Sequence, residues 1–152
     1  MSDKRLRIRN FEVEQLSTIL SGSRFKFTNM DNATRIRVVR IQILLDPISE
    51  SLDKARKTAE SRFSTERLIS LNEKKQQGEL SDVEDMEFKL LFDEFRDNME
   101  NALSPLMNEY ADVEPDKLSL GQYRQLLDAN ADWMTGSIPK LIFLHLVNEN
   151  ID

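Results

Sequence analysis

The chain has 152 residues, a net charge of −6, 39% hydrophobic and 32% charged residues, and no cysteine. That length suits one domain with a buried core, and the composition is too apolar for wholesale disorder. Disulfides, thiolate metal sites and thiol nucleophiles are excluded by composition alone, and no stretch approaches the ~20 apolar residues of a membrane-spanning helix.

The basic start MSDKRLRIR runs into polar sequence, not into an apolar signal-peptide core, so the chain reads as soluble and unsecreted. Leu6 and Ile8 alternate with Arg5, Arg7 and Arg9, the period-two pattern of a half-buried strand. Asn10 reads as the N-cap of a first helix, with Glu12 and Glu14 at the positive end of its dipole. Val13, Leu16, Ile19 and Leu20 form its buried stripe, and Gly22 ends it after about Ser21. Phe25 and Phe27 flank Lys26 in a second alternating piece, which pairs with the first in a small sheet.

A second helix starts near Asn29 to Asn32, where Asx side chains cap orphan amides. Its apolar seam, Ile41, Leu45, Ile48, Leu52, Ala55, Ala59 and Phe63, steps by 4, 3, 4, 3, 4, 4. Phe88, Phe92, Phe95, Met99, Ala102, Leu106 and Tyr110 repeat those steps. Pairing first with last gives positions that sum to 150 or 151, so two helices fold back antiparallel about residues 75 to 80. Asn72 to Gln77 form a polar tip, Gly78 terminates the first arm, and Ser81 with Glu84 makes the capping box of the return helix. Pro47 and Pro105 fall level across the hairpin, so both arms bend or break there, or restart with Asp46 and Ser104 ahead of each proline. Residues 48–104 then make a two-helix arm about 36 Å long, carried on a base of 1–47 and 105–152 within a single domain.

After Tyr110, the stretch ADVEPDKLSL reads as a short strand or hairpin around Pro115, followed by a helix over Gly121 to Asp128. The run Leu141 to Val147 is a buried C-terminal helix starting near Ser137 and Pro139, or a strand. The fold class expected is α+β, mainly helical, with a long antiparallel helical hairpin on a small base.

Charge is segregated along the chain. Residues 1–40 carry nine Lys or Arg against four Asp or Glu, while residues 79–116 hold thirteen Asp or Glu against Lys89 and Arg96. Arg5, Arg7, Arg9, Arg24, Lys26, Arg35, Arg37 and Arg40 form a candidate basic patch beside Phe25 and Phe27, suited to nucleic acid. Asp82, Glu84, Asp85, Glu87, Asp93, Glu94, Asp97 and Glu100 form a candidate acidic face, suited to a basic partner or to imitating a phosphate row. Solvated helix faces are also commonly charged with no such role.

Enzyme signals are sparse. His145, the single histidine, sits in an apolar run and reads as a hydrogen-bonded core or boundary residue, with Glu149 one helical turn on. Asp82, Glu84 and Asp85 lack the spaced ligand loop of a calcium site, and no glycine cluster cradles phosphate. No catalytic residue, cofactor or metal is expected.

The segments RLRIRNFEVEQLSTIL, SRFKFTNMDNATRIRVVRIQILLDPISESLDKARK and FDEFRDNMENALSPLMNEYADVEPDKLSLGQYRQLL together resemble an uncharacterised family of small bacteriophage proteins. In that family a short strand and capped helix precede two long helices and a small terminal part. The resemblance implies phage origin, a location in the host cytoplasm or virion, and a role in the virion, tail assembly or host takeover. It brings no functional residue. Composition and resemblance together lead to the expectation of a non-catalytic structural or assembly protein. Its arm and basic base contact other proteins, including further copies of the chain. The alternatives are an acidic inhibitor of a host nucleic-acid-binding protein and a nucleic-acid binder; no membrane contact is expected.

Overall fold

The computed structural model describes residues 7–151, and among them the chain is mainly helical, with six helices and no strand ladder. The helices are α1 (Asn10–Ser21), α2 (Asn32–Phe63), α3 (Glu66–Gln76), α4 (Asp82–Asn108), α5 (Leu120–Ala129) and α6 (Ile138–Leu146). No described helix is long and apolar enough to cross a membrane. Two compact units are present, Met1–Leu52 with Asn108–Asp152, and Asp53–Met107; α2 and α4 each contribute residues to both.

The first unit is built on a continuous core. Val13, Leu16 and Leu20 recur at helical spacing on α1 and pack with Val38, Ile41 and Leu45 of α2, Leu126 of α5, and Ile142 and Leu146 of α6. The first half of the α2 seam is therefore covered by the terminal helices, whereas Tyr110, the expected partner of Ile41, is exposed. The C-terminal apolar run is a helix, with Pro139 in its first turn, where a missing amide hydrogen costs nothing.

The expected sheet is replaced by isolated bridges. Arg5 and Leu6, two of the five residues of the first expected strand, lie outside the described residues. Arg9 bridges to Tyr110, with the Ala111 N–H donating to the Ile8 carbonyl at 2.8 Å and the Asn10 N–H to the Glu109 carbonyl at 2.9 Å. The segment around Lys26 cannot join, because the Asn130 side chain takes both of its backbone groups: Oδ1 accepts from the Lys26 N–H at 2.8 Å and Nδ2 donates to the Lys26 carbonyl at 3.0 Å. Phe25 and Phe27 meet edge to face, 5.0 Å between ring centres. The stretch after Tyr110 is irregular, and its Leu118 makes a parallel bridge to Val147.

Caps also differ from expectation. Arg9, not Asn10, holds the N-cap position of α1: its backbone is extended by the bridge to Tyr110, and its N–H is taken by Glu12 Oε1 at 3.2 Å. Gly22 ends α1 with φ −74, so a left-handed turn is not what selects glycine there; a Cβ would stand 2.6 Å from the Thr18 carbonyl oxygen. Asp31 caps α2 by accepting from the Thr34 N–H at 2.7 Å.

Pro47 and Pro105 both lie inside unbroken helices. Each removes one intrahelical hydrogen bond, which a long helix anchored by packing tolerates. Asp46 does not cap a restarted helix; its carboxylate accepts from Ser17 Oγ at 2.7 Å and Ser21 Oγ at 2.8 Å, tying α2 to α1. The break in the first arm falls instead between Phe63 and Glu66, where Thr65 is extended and its Oγ1 accepts from the Leu68 N–H at 3.1 Å.

In the second unit α3 and α4 form an antiparallel pair. Gly78, at φ +72, makes the reversal, and the Ser81–Glu84 capping box starts α4. Phe88 packs with Leu68 and Leu71, not Phe63, and Leu91 and Phe95 flank this core while Phe92 is exposed. The expected Phe63–Phe88 pairing is replaced because α2 ends at Phe63 and α3 brings its own apolar pair to Phe88.

Candidate functional site

The most buried ionisable cluster lies in the first unit. Glu12 is placed by the first turn of α1 and His145 by the last turn of α6, and Glu12 Oε2 shares a 2.6 Å hydrogen bond with His145 Nε2. The other carboxylate oxygen holds the Arg9 N–H. Lys117 Nζ donates to the His145 carbonyl, and burial holds the Lys117 ammonium below the ordinary lysine range. Glu149, expected within a turn of His145, is off the helix because the chain turns extended at Val147.

A general base must reach a substrate proton, and an imidazole 3% exposed with one nitrogen bound to Glu12 presents neither nitrogen to solvent. Its Nδ1 is buried without a protein partner. The cluster pins α1 to α6. Beside it runs an open groove of about 650 Å³ between the two helices, lined by Phe11, Gln15, Ile19, Ile138, Leu141 and Leu144 among others.

The basic residues divide into groups. Arg5 lies outside the described residues. Arg7 lines a hollow of about 880 Å³ with Asp112, Glu114 and Lys117. Arg37 donates to the Lys117 carbonyl at 2.8 Å, and Arg40 stands 3.9 Å from Asp116, so these three arginines gather around an acidic segment. Arg9 donates to the Asn108 carbonyl and to Tyr110 Oη, with its guanidinium 4.8 Å over that ring. Lys26 pairs with Asp132 at 2.8 Å, whose carboxyl is held below its usual range by that bond. Arg24 is exposed in the loop after α1, and Arg35 is exposed on α2. Phe25 and Phe27 pack against the core and offer no open stacking platform.

The acidic residues share α4 but not one environment. Glu84 accepts from Lys74 at 2.7 Å, and Glu87 takes a two-pronged bond from Arg67 at 2.8 Å each, so both face α3. The Lys74 bond, with the Ser81 amide and hydroxyl, lowers the Glu84 carboxyl to about 2, and the Arg67 bond lowers Glu87. Asp85 pairs with Lys89 at 3.1 Å and Asp93 with Arg96 at 3.0 Å. Asp82, Glu94, Asp97 and Glu100 are exposed on the same helix. Among the described residues no group of three or more histidine or acidic side chains is placed to hold a metal ion.

Apolar residues left on helix surfaces escaped the sequence reading. On α2, Ile36, Val39 and Ile43 are exposed, and on α4 so are Val83, Met86 and Leu90. Each of these helices carries a core seam on another face, which masks a second apolar line in the sequence. The signal available was a second apolar line at i, i+3, i+7 on both helices. No protein-family model, curated protein or solved structure matches the chain.

Proposed function

We propose that this protein is non-catalytic and acts through protein–protein contacts made by its helix faces, as a phage structural or assembly component in the host cytoplasm or virion. The phage setting rests on the resemblance of the helix pattern. The contact role rests on one observation: Ile36, Ile43, Val83, Met86 and Leu90 are each between 54% and 76% exposed in ordered helices, where water contact is unfavourable. Isolated surface apolar residues are ordinary, but rows aligned along a helix face mark places where another chain is received.

The nucleic-acid readings draw less support, since Lys26 and Arg40 face Asp132 and Asp116, and Glu84 and Glu87 face Lys74 and Arg67. A photocrosslinking residue placed at Leu90 in the native host is expected to yield a protein adduct, and one at the exposed polar position Glu60 none. Absence of any protein adduct at Leu90, or equal adducts at both positions, rejects the contact role.

A further inference from the structure

Resting on that contact role, we infer that the partner is a second copy of this chain, with the α2 face of one copy seated on the α4 face of the next. The two exposed rows have the same geometry: Ile36, Val39 and Ile43 step by 3 and 4, as do Val83, Met86 and Leu90. Each row spans about 11 Å of helix at 1.5 Å per residue, so neither overhangs the other.

The charges around the rows are opposite in sign, position for position. Arg35, Arg37 and Arg40 border the α2 row; Asp82, Glu84 and Glu87 stand at the equivalent places on α4. Over Arg35–Ile43 the chain carries those three arginines and no acid, and over Asp82–Leu90 it carries Asp82, Glu84, Asp85 and Glu87 against Lys89. The windows are thus +3 and −3. Part of this charge is met within the chain, Glu84 and Glu87 by Lys74 and Arg67, Asp85 by Lys89 and Arg40 by Asp116, while Arg35 on one row and Asp82 on the other, with Glu94 and Asp97 further along α4, stand exposed.

Apolar contact between two matched rows supplies the attraction that removes side chains from water. Opposite charge along their borders sets which row meets which, because α2 against α2 or α4 against α4 would oppose like charges. The contact is therefore between different patches of identical chains, a heterologous interface that salt weakens.

The test is sedimentation of the full chain with two double variants, Ile36→Gln/Ile43→Gln and Val83→Gln/Leu90→Gln. All four sites are exposed and glutamine suits helices, so circular dichroism of both should match the parent. At about 100 µM and low salt the parent should sediment above its 17.7 kDa monomer mass and return toward it in about 1 M salt. Each variant alone should stay monomeric at about tenfold higher concentration. An equimolar mixture should recover a two-chain species, since each variant keeps the face that the other lacks.

A monomeric parent overturns the inference, as do variants that associate like the parent or a mixture that stays monomeric. A monomeric parent together with a heterologous protein adduct at Leu90 would leave the contact role standing and remove only the self-contact. Absence of adducts would remove both.

Discussion

At the scale of single residues, the side chain that organises most backbone is Asn130. Fully buried, it uses all four amide bonding positions: Oδ1 accepts from the Lys26 N–H and Trp133 Nε1, while Nδ2 donates to the Lys26 and Leu126 carbonyls. Asn130→Ala removes the partner of these part-buried groups and of the buried Leu126 carbonyl, so a loss of about 2–4 kcal/mol in urea unfolding is expected, with a shift in Trp133 fluorescence. A loss below about 0.5 kcal/mol would show that the network is dispensable. Glu12 is the second such residue. Glu12→Ala strands His145 Nε2 in the core, and a cost of about 1–3 kcal/mol is expected, with Glu12→Gln recovering part of it through its remaining acceptor oxygen. Neither role was readable from the chain, because Asn130 meets Lys26, and Glu12 meets His145, across more than a hundred residues of sequence.

Among the elements, α3 and α4 are joined by charge as well as by Leu68, Leu71 and Phe88. Glu84 and Glu87 bind protons less readily in the folded chain than at the ordinary 4.5, Glu84 not until about 2. Their contribution to stability is therefore complete above about pH 4.5 and disappears as pH falls toward 2. The urea midpoint should drop over that window, and Arg67→Met/Lys74→Met should flatten the drop; an unchanged acid limb in that variant would exclude these pairs as its cause. Element existence was largely legible, since amphipathic spacing, the Ser81–Glu84 box and the glycine at Gly78 are local signals. Breaks were less so. Proline marked two positions where the helices continue, while the actual interruption lies at Thr65, a modest hydroxyl cap that competes with the helix only because α3 has its own apolar pair to bury.

At the scale of the whole molecule, the two units differ in what holds them. The first has a buried core drawn from α1, α2, α5 and α6, whereas the second buries Leu68, Leu71 and Phe88. Cooperative opening should follow the buried area available to each, so native-state hydrogen exchange is expected to release α3 amides at lower denaturant than α1 amides. Leu71→Ala should widen the gap by removing a fully buried side chain from the smaller core. Simultaneous release of α1 and α3 in both proteins would mean that the two cores form one cooperative unit.

Helical character, the polar reversal near Gly78 and the opposed charge of residues 1–40 and 79–116 all follow from the order of residues, because periodicity, capping and charge act over a few positions. Which seam faces which, where Lys26 sends its backbone groups, which acid His145 meets and which apolar rows remain in water were decided by packing. Those outcomes depend on which surfaces compete for the same core, and competition among distant segments leaves no mark on local spacing.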